Sequence, residues 1–263
     1  MMNSNELIER IRTERTAVFG TGYVAGMLWK ALEIHQAESC PDFFLVSKRN
    51  RETFLGRPVR LLSETAADER LILIAVHEAN YREADRILAE AGWKKRVWIY
   101  PYLHELLFGP VLVRKHVSMK DLLRAQDREK YWLAVRMCGI EGYKDIYCKL
   151  MAEHASRRTA ELRYETLQAL KQNMTQRGFD ENCPILIDEQ YRIIDGLHRV
   201  ALCRYLGAET IPAEIVRSAE VYEQLFGEEN QLPMHILKSA GLTERELKTI
   251  EQVQQRLFKE GEY

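Results

Sequence analysis

The residues best suited to chemistry form one short segment, Asp195-Gly196-Leu197-His198-Arg199, between an apolar run and a helical pattern. Gly196 permits a backbone angle that other residues avoid. If a helix begins near Leu197, its free N–H groups favour an anion. A cation near this end of a helix is disfavoured by the dipole, whereas the guanidinium fork of Arg199 suits a phosphate. The segment therefore predicts a phosphate site formed by Gly196, Leu197, His198 and Arg199.

Asp195 and His198 each admit several roles within this segment. Asp195 could hold Mg²⁺, accept a proton from a hydroxyl group or cap the helix. His198 could donate to a phosphate oxygen, relay a proton or fill a gap in the packing. Arg199 could instead pair with a surface acid. If it binds phosphate, Arg199→Ala is expected to abolish nucleotide binding and to leave the fold intact.

A second glycine pattern, "FGTGYVAG", places Gly20, Gly22 and Gly26 after an apolar run and at the start of a helical pattern. Gly20 would form the tight turn, Gly22 would admit a phosphate, and Gly26 would let the helix pack closely on the strand. No ribose-binding acid ends the second predicted strand; residues 47–49, "SKR", stand there instead and could receive a 2′-phosphate or be a surface loop. This turn either binds a nucleotide or sugar nucleotide or is purely structural, and NAD(P) is disfavoured.

Composition narrows the class of protein. The chain has 263 residues, so two domains are expected and one large domain is possible. Its net charge is -1, and basic and acidic residues are interspersed along the chain. Proteins that bind nucleic acid usually carry a basic stripe, so this pattern argues against nucleic-acid binding. No apolar run reaches the roughly 18 residues that span a bilayer, and the charged start of the chain is not a signal peptide. We therefore expect a cytoplasmic protein without membrane contact. Five cysteines without a C-x-x-C pair indicate reduced thiols and no cysteine metal site.

Hydrophobic patterns predict a mixed α/β chain. Over residues 1–109, the apolar runs "TAVFG", "DFFLVS", "RLILIAVHE" and "RVWIYP" alternate with helical patterns, which predicts a parallel sheet covered on both faces. Residues 110–217 contain a helical insertion at about 121–156, the helix "RYETLQALKQNMTQRG" and the hairpin "CPILIDEQYRIID". A helix and a closing strand follow. Residues 218–263 are predicted to form a helical tail.

The first of these domains resembles the small N-terminal Rossmann-like domains of bacterial sugar-nucleotide-modifying enzymes, such as acetyltransferases that build surface glycans. The resemblance lies in "AVFGTGYVAGMLWKALE", "FLGRPVRLLSE", "LILIAVHE" and "VWIYPY". It implies a nucleotide-linked sugar bound at Gly20, Thr21, Gly22 and Tyr23.

Residues 157–217 resemble the ParB/sulfiredoxin superfamily. The shared features are, in order, a helix ending in glycine, "PILID", a turn, "IIDGLHR", a helix ending in "LG", and "IPAEIV". The superfamily contains chromosome-partitioning CTPases, sulfinic-acid reductases and free-serine kinases. The resemblance implies an α+β domain whose G-x-x-R turn, here Gly196 to Arg199, holds nucleotide phosphates.

Within the superfamily, D-G-L-H-R is nearest to the D-G-H-H-R turn of the serine kinases. Leu197 stands where sulfiredoxins carry cysteine, and the short, mixed-charge tail argues against a DNA-reading domain. The kinase resemblance implies catalytic roles for Asp195 and His198. It also implies an earlier glutamate as general base, for which Glu161 and Glu165 are the candidates, although both could be ordinary surface acids. Nearby arginines, Arg157, Arg158 and Arg163, could steer a charged substrate or be solvated.

The function expected from these features is a nucleotide-dependent kinase acting on a small hydroxylated acceptor, such as a sugar or glycan precursor in surface polysaccharide biosynthesis. ATP or ADP with Mg²⁺ on Asp195 would be the cofactors, and a homodimer is left open. The alternative is a nucleotide-binding regulatory switch of the ParB type, with a DNA-binding form less favoured.

Overall fold

The computed structural model describes residues 2–38, 40–126, 130–152, 157–217, 221 and 240–258. The chain divides into two compact units, Met1–Gly109 and Pro110–Tyr263. Each unit contains a sheet and helices, so the expected mixed α/β class is confirmed. Within the described ranges, no helix is both long and apolar enough to cross a membrane.

The first unit is built on a six-stranded sheet in the order β3-β4-β2-β1-β5-β6. All neighbouring strands are parallel except β3, which is antiparallel to β4. In chain order, its helices and strands are α1 (Ser4–Thr13), β1 (Thr16–Phe19), α2 (Tyr23–Ile34), β2 (Pro41–Val46), β3 (Thr53–Phe54), β4 (Arg57–Leu61), β5 (Leu71–Ile74), α3 (Glu78–Glu90), β6 (Arg96–Trp98) and α4 (Leu103–Phe108).

Continuous apolar runs form the central strands of this sheet. All residues of β1 and β5 are buried, as expected for strands covered on both faces. The order of strands reverses between β1 and β5, so the turns leading into α2 and α3 lie at the same edge of the sheet. In open α/β sheets, that edge is where ligands bind.

The strand predicted at Arg70–Glu78 is shorter than expected and ends at Ile74. The ring of His77 accepts a hydrogen bond from the backbone N–H of Ala79 and caps α3. The last residues of the predicted strand therefore lead into the following helix.

The second unit contains a four-stranded sheet in the order β7-β10-β8-β9. Strand β10 pairs antiparallel with β7 and parallel with β8, and β8 and β9 form an antiparallel hairpin. The elements are β7 (Val113–Ser118), α5 (Met119–Arg124), α6 (Lys130–Ile140), α7 (Lys144–Ala152), α8 (Arg157–Arg177), β8 (Ile185–Asp188), β9 (Ile193–Asp195), α9 (Leu197–Tyr205), β10 (Thr210–Val216) and α10 (Glu244–Leu257).

One core joins this sheet to α6, α7, α8, α9 and α10. Helix α8 begins at Arg157, six residues before the predicted start at Arg163. Helix α10 places Ile250, Val253 and Leu257 in the same core. The described part of the predicted tail therefore packs with the second unit, whereas residues 222–239 lie outside the described ranges.

Candidate functional site

The turn between β9 and α9 is fixed by Gly196. This residue is the N-cap of α9, with φ 104° and ψ 16°. A Cβ atom here would lie 2.6 Å from Cγ2 of the buried Ile185, so a side chain does not fit. The first helical hydrogen bond runs from the N–H of Val200 to the carbonyl of Gly196. The N–H groups of Leu197, His198 and Arg199 thus have no partner within the helix.

The guanidinium group of Arg199 is held by protein acceptors. Its Nη1 donates to the carbonyls of Cys183 (2.6 Å) and Pro184 (2.5 Å), and its Nη2 donates to Asp195 (2.9 Å). Arg199 therefore ties the start of β8 to the first turn of α9. Arg199→Ala removes all three bonds, so this substitution should lower the stability of the fold as well as weaken nucleotide binding.

Asp195 does not cap α9, since the cap position belongs to Gly196 and no side chain bonds there. Its half-exposed carboxylate instead forms an ion pair with Arg199. Across the part of the chain that the structure describes, no three His, Cys, Asp or Glu side chains come together as a metal cluster. A single carboxylate is nevertheless enough for Mg²⁺ when substrate phosphates supply further ligands, so Asp195 fits that limited role.

His198 is joined to Tyr147 of α7, with 2.9 Å between its Nε2 and the phenol oxygen. Burial lowers the pKa of His198 well below its usual value, and Arg136, Arg163 and Arg199 lower it further. Tyr147 is fully buried, and burial raises its pKa, so the phenol keeps its proton. The site thus contains a neutral imidazole held by a neutral phenol.

Residues 142–229 match the family model of the ParB N-terminal domain. The match includes the turn at Gly196 and supports the ParB/sulfiredoxin-like assignment of this part of the chain. No curated protein and no solved structure matches the chain.

The partner of His198 in this ParB-like segment was missed by sequence reasoning. Tyr147 precedes His198 by 51 residues and lies on another helix. Its ring packs against Gly139 of α6, where a Cβ atom would lie 2.7 Å from the ring. That glycine inside an otherwise apolar helical pattern was the available signal for a bulky neighbour.

The two candidate glutamates of the ParB-like segment both lie on α8. Glu161 forms an ion pair with Arg157 at 3.3 Å. Burial raises the pKa of Cys148 on α7, and Glu161 adds to this effect. Glu165 is exposed. The contacts described for these glutamates do not reach Asp195 or His198, so their role as general base stays a prediction.

In the first unit, Gly20, Thr21, Gly22 and Tyr23 form the turn from β1 into α2. Gly20 has φ +111°, and a Cβ atom there would lie 2.8 Å from the carbonyl oxygen of Ala75. Gly22 is the N-cap of α2, and Tyr23 is 72% exposed. The predicted role of Gly26 in close packing is wrong, because a Cβ atom there would meet nothing within 4 Å.

An aromatic group after β5 and β6 was not singled out from the sequence. The ring of Trp98 stacks on Tyr81 at 4.4 Å and on Tyr100 at 5.9 Å between centroids. The indole N–H of Trp98 donates to the carbonyl of Val76. Trp98 ends β6, so it lies at the same sheet edge as the Gly20 turn.

The lowered pKa of His198 predicts a pH dependence of stability. In the unfolded chain the imidazole takes up a proton near pH 6.5, whereas in the folded protein it does so only at lower pH. As pH falls below about 6.5, the free energy of unfolding should decrease by up to about 1.4 kcal/mol per pH unit from this group. The neighbouring phenol of Tyr147, whose pKa is raised by burial, stays protonated in this range.

Urea unfolding of the wild type and His198→Asn between pH 7.5 and 5 measures this contribution. The wild type should lose more stability than the variant as pH falls. An identical loss in the two proteins would contradict a depressed pKa for His198.

Proposed function

We propose that the ParB-like segment binds a nucleotide through its phosphates at Gly196–Arg199 and transfers a phosphoryl group to a small hydroxylated acceptor. The observation that carries this proposal is the left-handed Gly196 cap, which leaves three consecutive N–H groups at the start of α9 without helical partners. Such a helix start favours phosphate. The resemblance of D-G-L-H-R to the phosphate turn of the ParB/sulfiredoxin superfamily supports the same ligand.

Phosphoryl transfer depends mainly on positioning and electrostatic stabilisation. The N–H groups of α9 would hold the phosphates, and the neutral His198 would accept the proton of the acceptor hydroxyl. A bound nucleotide would partly neutralise the neighbouring arginines and so raise the pKa of His198 toward the working pH. Mg²⁺, when bound with ATP or ADP, would neutralise phosphate charge, and Asp195 is the protein carboxylate suited to hold it.

The second candidate function is a nucleotide-binding switch. It is favoured by the ion pairs of Asp195 with Arg199 and of Glu161 with Arg157. Neither arrangement presents a free carboxylate base beside the turn. A switch requires binding and a conformational response, but no such base.

The first unit suggests the chemistry of the acceptor. The strand order β4-β2-β1-β5-β6 corresponds to the 3-2-1-4-5 order of Rossmann-like sheets. This order supports a Rossmann-like unit that binds a sugar nucleotide at Gly20, Thr21, Gly22 and Tyr23. A sugar or glycan precursor for surface polysaccharide biosynthesis is therefore the proposed acceptor class, and this step rests on fold-level analogy.

A thermal-shift panel of nucleotides and sugar nucleotides, each with Mg²⁺ or with EDTA, tests the binding step. A nucleotide at 100 times its Kd should stabilise the second unit by about 2.7 kcal/mol and raise Tm by roughly 5–10 °C. If no nucleotide shifts Tm, the proposed site is wrong.

Turnover separates the two candidate functions. Mg²⁺-dependent nucleotide consumption that increases with one hydroxylated acceptor would support the kinase. Tight binding without consumption in the presence of any acceptor would support the switch and contradict the kinase. DNA binding that weakens steeply with salt would instead revive the DNA-binding form.

A further inference from the structure

The first unit contains a cavity of about 460 Å³ whose lining includes no residue of the Gly20 turn. Its walls come from β2, from β4 and from the segments that follow these two strands. Crossovers between parallel strands usually contain an α-helix, but residues 62–70, which lead from β4 to β5, form only one turn of 3-10 helix, Leu62–Glu64. A cavity of this size beside the sheet can hold a small molecule.

Two guanidinium groups lie over the ring of Phe43 at the wall of this cavity. Phe43 belongs to β2 and is buried. The guanidinium carbon of Arg60 on β4 lies 4.2 Å from the ring centroid, and that of Arg70, just before β5, lies 4.7 Å from it. The aromatic ring attracts both cations and so helps to fix their positions.

The charges of these two cations are balanced differently. Arg70 is buried, and its guanidinium group bonds to Asp42 at 2.6 Å and to Asp68 at 2.7 Å. Two carboxylates thus neutralise Arg70, which serves as a structural part of the wall. Arg60 is exposed, and across the described ranges no carboxylate lies within ion-pair distance of it. The cavity therefore contains one cation whose charge the protein does not balance.

A second cation and a carboxylate complete the polar lining. Arg49 follows β2 and forms an ion pair with Glu52 at 3.5 Å, in which Glu52 is 81% exposed. Exposed pairs contribute little, so Arg49 can exchange Glu52 for a ligand at low cost. Glu64 lies in the crossover, and within the described part of the chain it has no ion-pair partner. The cavity thus offers two arginines to an anion and one carboxylate to hydrogen-bond donors.

We propose that this cavity binds a sugar phosphate, with Arg49 and Arg60 holding the phosphate group and Glu64 accepting hydrogen bonds from sugar hydroxyls. Arginine forks suit phosphate oxygens, and an ionised carboxylate acts only as an acceptor, which hydroxyl groups satisfy. A free phosphate ion would instead be repelled by Glu64. The lining therefore favours a phosphate carried on a hydroxylated body. This site belongs to the first unit and does not depend on nucleotide binding at α9.

Calorimetric titrations of the full chain with glucose 6-phosphate, inorganic phosphate and glucose test the proposal at constant pH and ionic strength. Glucose 6-phosphate should bind about tenfold more tightly than inorganic phosphate, because one hydrogen bond to a charged group contributes about that factor. Glucose alone should bind more weakly than either, since it lacks the group that the arginines hold.

Arg60→Gln should weaken the binding of glucose 6-phosphate and of inorganic phosphate about tenfold each, through loss of one charge-assisted contact. Arg49→Gln should have the same effect, and it keeps the contact between Arg60 and Phe43, so its result does not depend on altered packing. Arg82→Gln is the matched control, since Arg82 is an exposed arginine of α3 outside the cavity. The control should leave both affinities unchanged.

Glu64→Gln separates recognition of the sugar from recognition of the phosphate. An amide oxygen accepts weaker hydrogen bonds than a carboxylate, and the substitution also removes the negative charge that repels phosphate. The preference for glucose 6-phosphate over inorganic phosphate should therefore fall several-fold in this variant.

Several results would overturn the proposal. If glucose 6-phosphate does not bind, or if its affinity is the same in the wild type, Arg49→Gln and Arg60→Gln, the cavity is not its site. A loss of affinity in Arg82→Gln equal to that in Arg49→Gln would reduce the effect to overall charge. Equal affinities for glucose 6-phosphate and inorganic phosphate, or a preference that Glu64→Gln leaves unchanged, would exclude recognition of the sugar. Phosphate bound at the start of α9 would be distinguished by its indifference to both cavity arginines, so the two sites are tested separately.

Discussion

Gly196→Ala is expected to lower the free energy of unfolding of the second unit by about 3–4 kcal/mol and to abolish nucleotide binding. The backbone at Gly196 has φ 104°, which costs an L-residue about 1–2 kcal/mol. The new methyl group would lie 2.6 Å from Ile185, and overpacking of this kind costs roughly 1–3 kcal/mol. Any relaxation that relieves the clash moves the N–H groups of α9 that are proposed to hold phosphate.

Gly207→Ala provides the matched control for this substitution. Gly207 follows the same helix and also has a positive φ of 73°, but a Cβ atom there meets nothing within 4 Å. Its replacement should cost only about 1–2 kcal/mol and should leave nucleotide binding unchanged. Urea unfolding and calorimetric nucleotide titration of both variants make the comparison. Equal losses of stability would show that contact with Ile185 does not restrict position 196.

The start of α9 could be predicted from sequence because its determinants are local. An apolar run, a glycine and a helical pattern follow one another within a few residues, and the helix begins at Leu197 as expected. Strands β1 and β5 were predictable for the same reason, although β5 ends earlier because His77 caps the next helix.

The surroundings of the turn could not be predicted in this way. The contact between Tyr147 and His198 joins residues 51 positions apart, and Arg136 lies on α6, before the segment that matches the ParB N-terminal domain. The partners of Arg199 depend on where the carbonyls of Cys183 and Pro184 lie once β8 has paired with β9. Such contacts follow from tertiary packing, which hydrophobic periodicity does not specify.

For Gly26, by contrast, the sequence predicted close packing that the structure does not contain. The glycine spacing of the first turn suggested that Gly26 brings a helix close to a strand, yet the space beside it is open. Gly20 is the position with a steric requirement, since both its φ and the nearby carbonyl of Ala75 exclude a side chain. A glycine motif therefore identifies a turn more reliably than it assigns a role to each glycine.

Arg199→Ala and Asp195→Asn should have different effects, although the two side chains form one ion pair. Arg199→Ala removes the bonds to the carbonyls of Cys183 and Pro184, and hydrogen bonds to a charged group contribute about 1.5–3 kcal/mol. We expect a loss of about 2 kcal/mol in the free energy of unfolding, together with loss of nucleotide binding. The second loss follows because the first turn of α9 is no longer tied to β8.

Asp195→Asn keeps those carbonyl bonds and removes only a half-exposed charge, so it should cost less than about 1 kcal/mol. If Asp195 holds Mg²⁺, this variant should lose about tenfold in nucleotide affinity with Mg²⁺ present and little in EDTA. Urea unfolding and nucleotide titration with and without Mg²⁺ measure both effects. An equal loss of affinity in Mg²⁺ and in EDTA would remove Asp195 as a metal ligand. Unchanged stability in Arg199→Ala would show that Arg199 does not anchor β8 to α9, and the nucleotide affinity lost in this variant would then measure direct phosphate binding by the guanidinium group.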